Sequence, residues 1–211
     1  MCIRDRGNTL WDFSTGEFVA GNSAFGSPNL KLLATQVITQ QVMTVSFISG
    51  IDSTYSVYIF KFINIRVRSG FDFCFQASTD GGATFATSNQ STAFRAWHSE
   101  AGTGNLSYDP ERDRSNQTNM QPIMWAVKTD DADGNGCGEL TLFNPSDTTY
   151  VKHWFSETQH MHPEPASINP FNAGYFNTTS AINGITFGST TGSGGGISWP
   201  FGGTIKMYGL L

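Results

Sequence analysis

The chain reads as an all-β protein, an antiparallel β-sandwich of the jelly-roll kind with an irregular N-terminal arm. Three observations predict this. Short runs with period-2 alternation, rich in Val, Ile, Thr and aromatic residues, recur along most of the 211 residues. Stretches containing Gly, Pro, Asn and Asp, the residues that build turns, separate them. Almost nothing carries a helical period. Nine or ten short strands with long loops suit a sandwich. Aromatic residues make up 13% of the chain, with 17 Phe, 6 Tyr and 5 Trp, which is enough to build one core. The expected division is an arm over residues 1–29 and a sandwich over residues 30–211.

The clearest element is the hairpin Leu140–Phe155, LTLFNPSDTTYVKHWF. Leu140 and Leu142 alternate with Thr141 and Phe143. Asn144-Pro145-Ser146-Asp147 breaks the run, and Val151, His153 and Phe155 then alternate with Tyr150, Lys152 and Trp154. Pro145 presets φ for the corner, while Asn144 and Asp147 can bond their own backbone. Such a hairpin needs a sheet over its apolar face.

In chain order, Met1-Cys2-Ile3-Arg4-Asp5-Arg6 resembles a translated sequencing-adapter remnant and is left out of the fold reading, so Cys2 is expected to carry no function. Gly7–Asn29 reads as a polar arm with Trp11, Phe13, Phe18 and Phe25, docked either on a neighbouring subunit or on its own. Leu30–Ile38 and Val42–Ile48 are strands joined at Thr39-Gln40-Gln41, the second with Met43, Val45 and Phe47 on its apolar face. Tyr55–Val67 is the longest strand, with Val57, Ile59, Ile63 and Ile65 beside Lys61 on one face and Tyr58, Phe60 and Phe62 on the other. Two apolar faces place it centrally, with Lys61 snorkelling or facing an interface.

Phe71–Ala77 runs into Ser78-Thr79-Asp80-Gly81-Gly82-Ala83-Thr84-Phe85, which fits the Asp-box pattern S-x-D-x-G-x-T-W/F. Sialidase propellers carry several copies of that turn; the single copy here predicts a hairpin turn and no propeller. Ser91–Glu100 has Phe94 and Trp97 at helical spacing and reads as a helix or as a strand beside Phe85–Ala86. Gly102–Gln121 reads as a surface loop, Ile123–Lys128 as a strand and Asp130–Gly138 as a loop. Gln159–Asn172, holding Pro163, Pro165 and Pro170, reads as irregular. Gly174–Asn177, Ile182–Ser189 and Thr204–Tyr208 read as strands, with Ser189–Gly196 a loop between the last two.

Charge and composition narrow the function. Charged residues are 14%, below the usual quarter or so. The polar surface is therefore built from Ser, Thr, Asn and Gly, which suits a particle component or a glycan-facing module better than a cytosolic enzyme. The net charge of −5 and pI near 5.2 show no basic patch, so no nucleic-acid partner is expected. No apolar run reaches the roughly 18 residues of a membrane span, so no membrane partner is expected either. Cys2, Cys74 and Cys137 have no paired spacing, and reduced thiols are expected.

Four constellations could carry chemistry. Asp131-x-Asp133-x-Asn135-Gly136 is the opening half of a calcium loop. Its twelfth position is Leu142 where a bidentate Glu is required, so an EF-hand is ruled out. The readings are a weak Ca²⁺ site of Asp131, Asp133 and Asn135, helped by Glu139, or a plain Asx-rich turn; no other cofactor is expected. His160-x-His162 with His153 could hold a metal on a symmetry axis, against the reading of solvent-exposed loop histidines. Trp97, Tyr108 and Trp199 could stack on sugar rings. Gly192-Ser193-Gly194 is no nucleophile elbow, and P-loop, HExxH, CxxC and paired-carboxylate motifs do not occur, so no enzyme is expected.

Five segments together resemble virion structural proteins of marine tailed phages, including cyanophage-like ones. They are SGIDSTYSVYIFKFINI (Ser49–Ile65), FQASTDGGATF (Phe75–Phe85), LTLFNPSDTTYVKHWFSET (Leu140–Thr158), GYFNTTSAINGITF (Gly174–Phe187) and GTIKMYGLL (Gly203–Leu211). The resemblance spans Leu30 to Leu211 and leaves the arm out. It implies a non-enzymatic component of the virion, assembled in the host cytoplasm. That component is a capsid-surface decoration or a tail-fibre module, with other virion proteins and copies of itself as partners. It brings no catalytic residues. The alternative expectation is a carbohydrate-binding module using Trp97, Tyr108 and Trp199.

Overall fold

The computed structural model describes residues 9–12, 17–20, 30–130, 132–191, 195–199 and 201–211. Its strands are β1 (Thr9–Asp12), β2 (Glu17–Ala20), β3 (Leu30–Val42), β4 (Thr44–Phe47), β5 (Val57–Arg66), β6 (Phe71–Ser78), β7 (Asn89–Ser99) and β8 (Gly104–Tyr108). They continue with β9 (Gln121–Val127), β10 (Gly136–Phe143), β11 (Lys152–His162), β12 (Ala166–Phe176), β13 (Gly184–Thr191), β14 (Gly195–Trp199) and β15 (Phe201–Leu210). All pairings are antiparallel, and no helix occurs among the described residues. One sheet has eight strands in the order β3-β15-β5-β10-β11-β12-β7-β8. The second has five: β14-β13-β6-β9, with β4 also on β13. β1 and β2 pair with each other, so the arm is not wholly irregular. The adapter-like hexapeptide, Asp131 and the side chain of Trp199 lie outside the described residues.

The expected antiparallel sandwich is thus present; its jelly-roll wiring is not established by this strand order. The two sheets meet through rings. Phe60 and Phe62 of β5 lie 5.3 Å from Phe187 of β13, and Phe75 of β6 sits edge-on to Trp154 of β11 at 4.9 Å. All five are buried. Such pairs add roughly 0.5–1.5 kcal/mol beyond their buried area.

The central hairpin forms as read, with Leu142 opposite Trp154 and Leu140 opposite Ser156. Asp147 accepts the backbone N–H groups of Thr149 and Tyr150, as its turn role requires. The Asp-box segment is a turn as well. Asp80 accepts from Ser78 and from the Thr84 N–H and hydroxyl, which holds its carboxyl at about 2. Gly82 sits at φ 89°, where a Cβ would strike Ile48 at 2.4 Å. Phe85 is half-buried beside it.

Six expectations need correction. β3 runs unbroken through Thr39–Gln41 and stops at Met43. In β5, Asn64 takes a left-handed φ of 53°, and the alternation slips there. Ile65 therefore joins Phe60 and Phe62 in the core instead of sharing a face with Ile59 and Ile63. Ser91–Glu100 is strand, held by β12 on one side and β8 on the other and not by Phe85–Ala86. Gly102–Gln121 contributes β8 before its loop. Ser189–Gly196 lies largely in β13 and β14.

The sixth correction is Gln159–Asn172, which forms most of the β11–β12 hairpin. Pro170 is tolerated because the β11–β12 ladder is interrupted there. The Asn169 side-chain amide donates to the Thr158 carbonyl at 2.5 Å, where the proline has no N–H to give.

Candidate functional site

β7 places its odd-numbered side chains toward the smaller sheet. Asn89 and Ser91 are buried and bond Gln121 of β9 at 3.1 and 2.7 Å. Arg95 and Trp97 continue that face toward the end of the strand and are part-exposed. There they line a groove of about 500 Å³ with Glu100, His162, Glu164 and Ile168. Arg95 reaches Asp109 at 3.7 Å. His162 accepts the Glu164 N–H at 3.1 Å through Nδ1, and burial lowers its pKa. An indole beside a guanidinium and two carboxylates can stack on a ring and bond hydroxyls.

Among the described side chains, Tyr108 does not join Trp97. Tyr108 is in register with Phe94, on the face of the sheet opposite Trp97, and its hydroxyl donates to Asp113. Trp199 belongs to β14 of the other sheet. Arg95 was not singled out by sequence, and His162 was read only as a metal candidate; their convergence depends on β12 lying between β7 and β11.

The calcium-loop residues divide similarly. Asp133 is exposed, and the Asn135 side-chain amide donates to the Asp133 carbonyl at 2.9 Å. Arg66 donates to the carbonyls of Ala132 and Thr129, which ties this turn back to β5. Glu139 pairs with Lys61 on the outward face of the large sheet, and Leu142 is buried in the core.

The histidines are not loop residues. His160 is fully buried on β11, with Nε2 2.6 Å from the Trp125 carbonyl, and burial depresses its pKa to about 3. His153 lies on the opposite, exposed face and packs on Tyr175. Alternation along one strand keeps the two apart. Among the described residues no three His, Cys, Asp or Glu side chains converge as metal ligands.

A buried polar system lies under residues 109–121. Asp72 on β6 accepts from Arg112 at 2.8 Å and from the Ala126 N–H at 3.0 Å. Burial nonetheless pushes its carboxyl up to about 7, against the pull of Arg112. Arg114 is buried and donates to the Met120 carbonyl at 2.7 and 3.1 Å. Cys74, also buried, meets the Thr190 hydroxyl at 3.2 Å, and burial pushes its thiol pKa upward, which suits packing and not nucleophilic attack. Cys74 and Cys137 are both free thiols.

An unassigned surface is the outward face of the eight-stranded sheet. Val37, Ile63, Phe94, Leu106 and Phe155 stand on it between 40% and 65% exposed. Phe94 stacks on Phe171 at 5.1 Å and Phe143 packs on Phe155 at 5.5 Å. The signal in the sequence was the second apolar face of Tyr55–Val67, read as a mark of double burial.

Compared with family models, with curated proteins and with solved structures, the chain matches none.

Proposed function

We propose that the chain is a non-enzymatic structural subunit of a phage particle, a capsid-surface decoration or a tail-fibre module that works by assembling. The observation that carries this reading is the outward face of the eight-stranded sheet, which presents large apolar side chains where a solitary sandwich gains nothing by exposing them. The resemblance of Leu30–Leu211 to virion structural proteins of marine phages points the same way, as does the sparse charge. The Asp72–Arg112 and Arg114 contacts, with the neutral Cys74 thiol, serve to hold residues 109–121 against the smaller sheet.

The test is peptide mass spectrometry of gradient-purified particles that package this gene. Peptides of the chain should survive protease treatment of the unbound protein and track with the particle band. Their absence from that band would overturn the reading.

A second reading rests on the groove at Trp97. Its indole, the Arg95 guanidinium and the Glu100 and Glu164 carboxylates suit a sugar ring, with Tyr108 on the opposite face of the sheet. A glycan array probed with the purified chain distinguishes the two. Sugar binding lost in Trp97→Ala supports recognition at this groove, and a blank array leaves assembly as the function.

A further inference from the structure

The outward face of the large sheet carries one charged row between rows of mixed polar and apolar side chains. Following the register across four neighbouring strands, Lys206 of β15 stands beside Lys61 of β5, Lys61 beside Glu139 of β10, and Glu139 beside Glu157 of β11. The row reads two cations and then two anions. The next row reads Tyr208, Ile59, Thr141 and Phe155 on the same four strands. Lys61 and Glu139 at the centre remain part-exposed although they pair with each other.

We propose that this face is the interface of a two-fold homodimer, with a second copy packed face to face and the axis running along the strands between β5 and β10. The charge order selects the partner. A rotation about that axis reverses the row, so Lys206 comes over the partner's Glu157 and Lys61 over the partner's Glu139, each contact occurring twice as an isologous interface requires. A two-fold axis along the row would instead place lysine over lysine. A polyanion would ask for a row of one sign.

The neighbouring row is matched at its ends under the same operation. Tyr208 comes over the partner's Phe155, which is 45% exposed, whereas Thr141 is buried under its own neighbours and adds no contact. Two sheets in this relation keep their strands within about 30° and pack roughly 10 Å apart.

The strands on either side of the axis are unequal in number, so six overlap, from β3 to β12. Six strands at a spacing of about 4.8 Å, over about 20 Å of their length, cover roughly 600 Å² on each copy. That reaches the lower end of the ~1,200–2,000 Å² total of stable interfaces. The exposed apolar side chains within the overlap, Val37, Ile63 and Phe155, supply the affinity. The charges supply register and exclude mispairing, because desolvated ion pairs contribute little net affinity while like-charge contacts cost several kcal/mol.

This inference rests on the assembly reading for its biological use, but its test is independent of particles. Sedimentation velocity of the purified full chain should show a concentration-dependent dimer. Lys206→Glu sets a carboxylate against the carboxylate of the partner's Glu157, and Glu157→Lys sets an ammonium against that of the partner's Lys206. Each variant alone should weaken dimerisation by on the order of a hundredfold. Both substitutions are on the outward face and should leave the thermal midpoint of the monomer unchanged. Mixing the two single variants should yield a heterodimer, because the changed charges then meet opposite partners. The double variant Lys206→Glu/Glu157→Lys should dimerise like the parent.

A parent chain that stays monomeric overturns the inference, as does a dimer indifferent to both swaps or single variants that fail to pair on mixing. If the chain tracks with particles yet is monomeric in solution, this inference falls and the assembly reading stands. If it dimerises through this face yet is missing from particles, the reverse holds.

Discussion

His160 and Asp72 are both buried and titrate in opposite senses. The His160 Nε2–H donates to the Trp125 carbonyl, and Nδ1 has no hydrogen-bond partner among the described residues, so the neutral ring is the form that fits. Its folded pKa is about 3 against an ordinary 6.5. As pH falls through that window the unfolded chain takes up a proton that the folded one refuses, so this histidine costs stability on acidification. Asp72 has a folded pKa of about 7 against an ordinary 3.8. There the folded chain keeps a proton that the unfolded one loses, so its contribution is lost as pH rises through the window. Each slope can reach about 1.4 kcal/mol per pH unit. The two offset one another between about pH 4 and pH 6.5. Urea midpoints measured at both ends of that range should change little in the parent through these groups. His160→Gln should leave stability falling as pH rises, and Asp72→Asn should leave it rising. If both variants track the parent, neither group titrates as argued.

The β9–β10 connection carries the two readings of the Asp131–Asn135 stretch, a weak Ca²⁺ site or a plain turn. Alternating Asp131, Asp133 and Asn135 before a glycine follows a calcium-loop order, but the turn is organised by Arg66 reaching across from β5 to the Ala132 and Thr129 carbonyls. The thermal midpoint should be the same in EDTA and in millimolar Ca²⁺, and Asp133→Ala should leave it unmoved. A midpoint that rises with Ca²⁺ and falls back in Asp133→Ala would restore the metal reading. At the other end of β10, the hairpin turn behaves as its residues dictate. Lys152 is buried beneath it, its ammonium donating to the Tyr150 carbonyl at 2.6 Å and the Thr178 carbonyl at 3.3 Å, and burial lowers its pKa. A lysine in an alternating apolar run is thus satisfied by backbone carbonyls at the strand end, which no pattern of residue types along the strand reveals.

The molecule as a whole depends on one ring cluster between its sheets. Phe60 touches Phe47 and Phe187, while Trp154 meets Phe75 and donates its Nε1–H to Asn89 at 3.1 Å. Phe60→Ala and Trp154→Ala should each cost about 3–5 kcal/mol in chemical denaturation, since neither site can close over the lost ring. A loss below about 1 kcal/mol at both would mean that the sheets are not packed as described. Circular dichroism of the parent should show a strand spectrum without a helical signal.

Strand and turn were legible because both are local. Alternation, β-branching and aromatic content set the extended runs, and Asn144–Asp147 and Ser78–Phe85 specify their turns through side chains that bond the adjacent backbone. Pairing is not local. β15 lies between β3 and β5, and β7 lies beside β12, across long separations in sequence. Nothing in each segment records its neighbour. Three outcomes followed from that packing alone. It buried His160, it accepted Pro170 where Asn169 could replace the missing donor, and it turned the second apolar face of Tyr55–Val67 outward. It also aligned Lys206, Lys61, Glu139 and Glu157, four residues unremarkable apart, into one row. Side-chain alternation tells which residues share a face of a strand; only contact between strands decides which face becomes the core, because burial is a property of the assembled sheets and not of the strand.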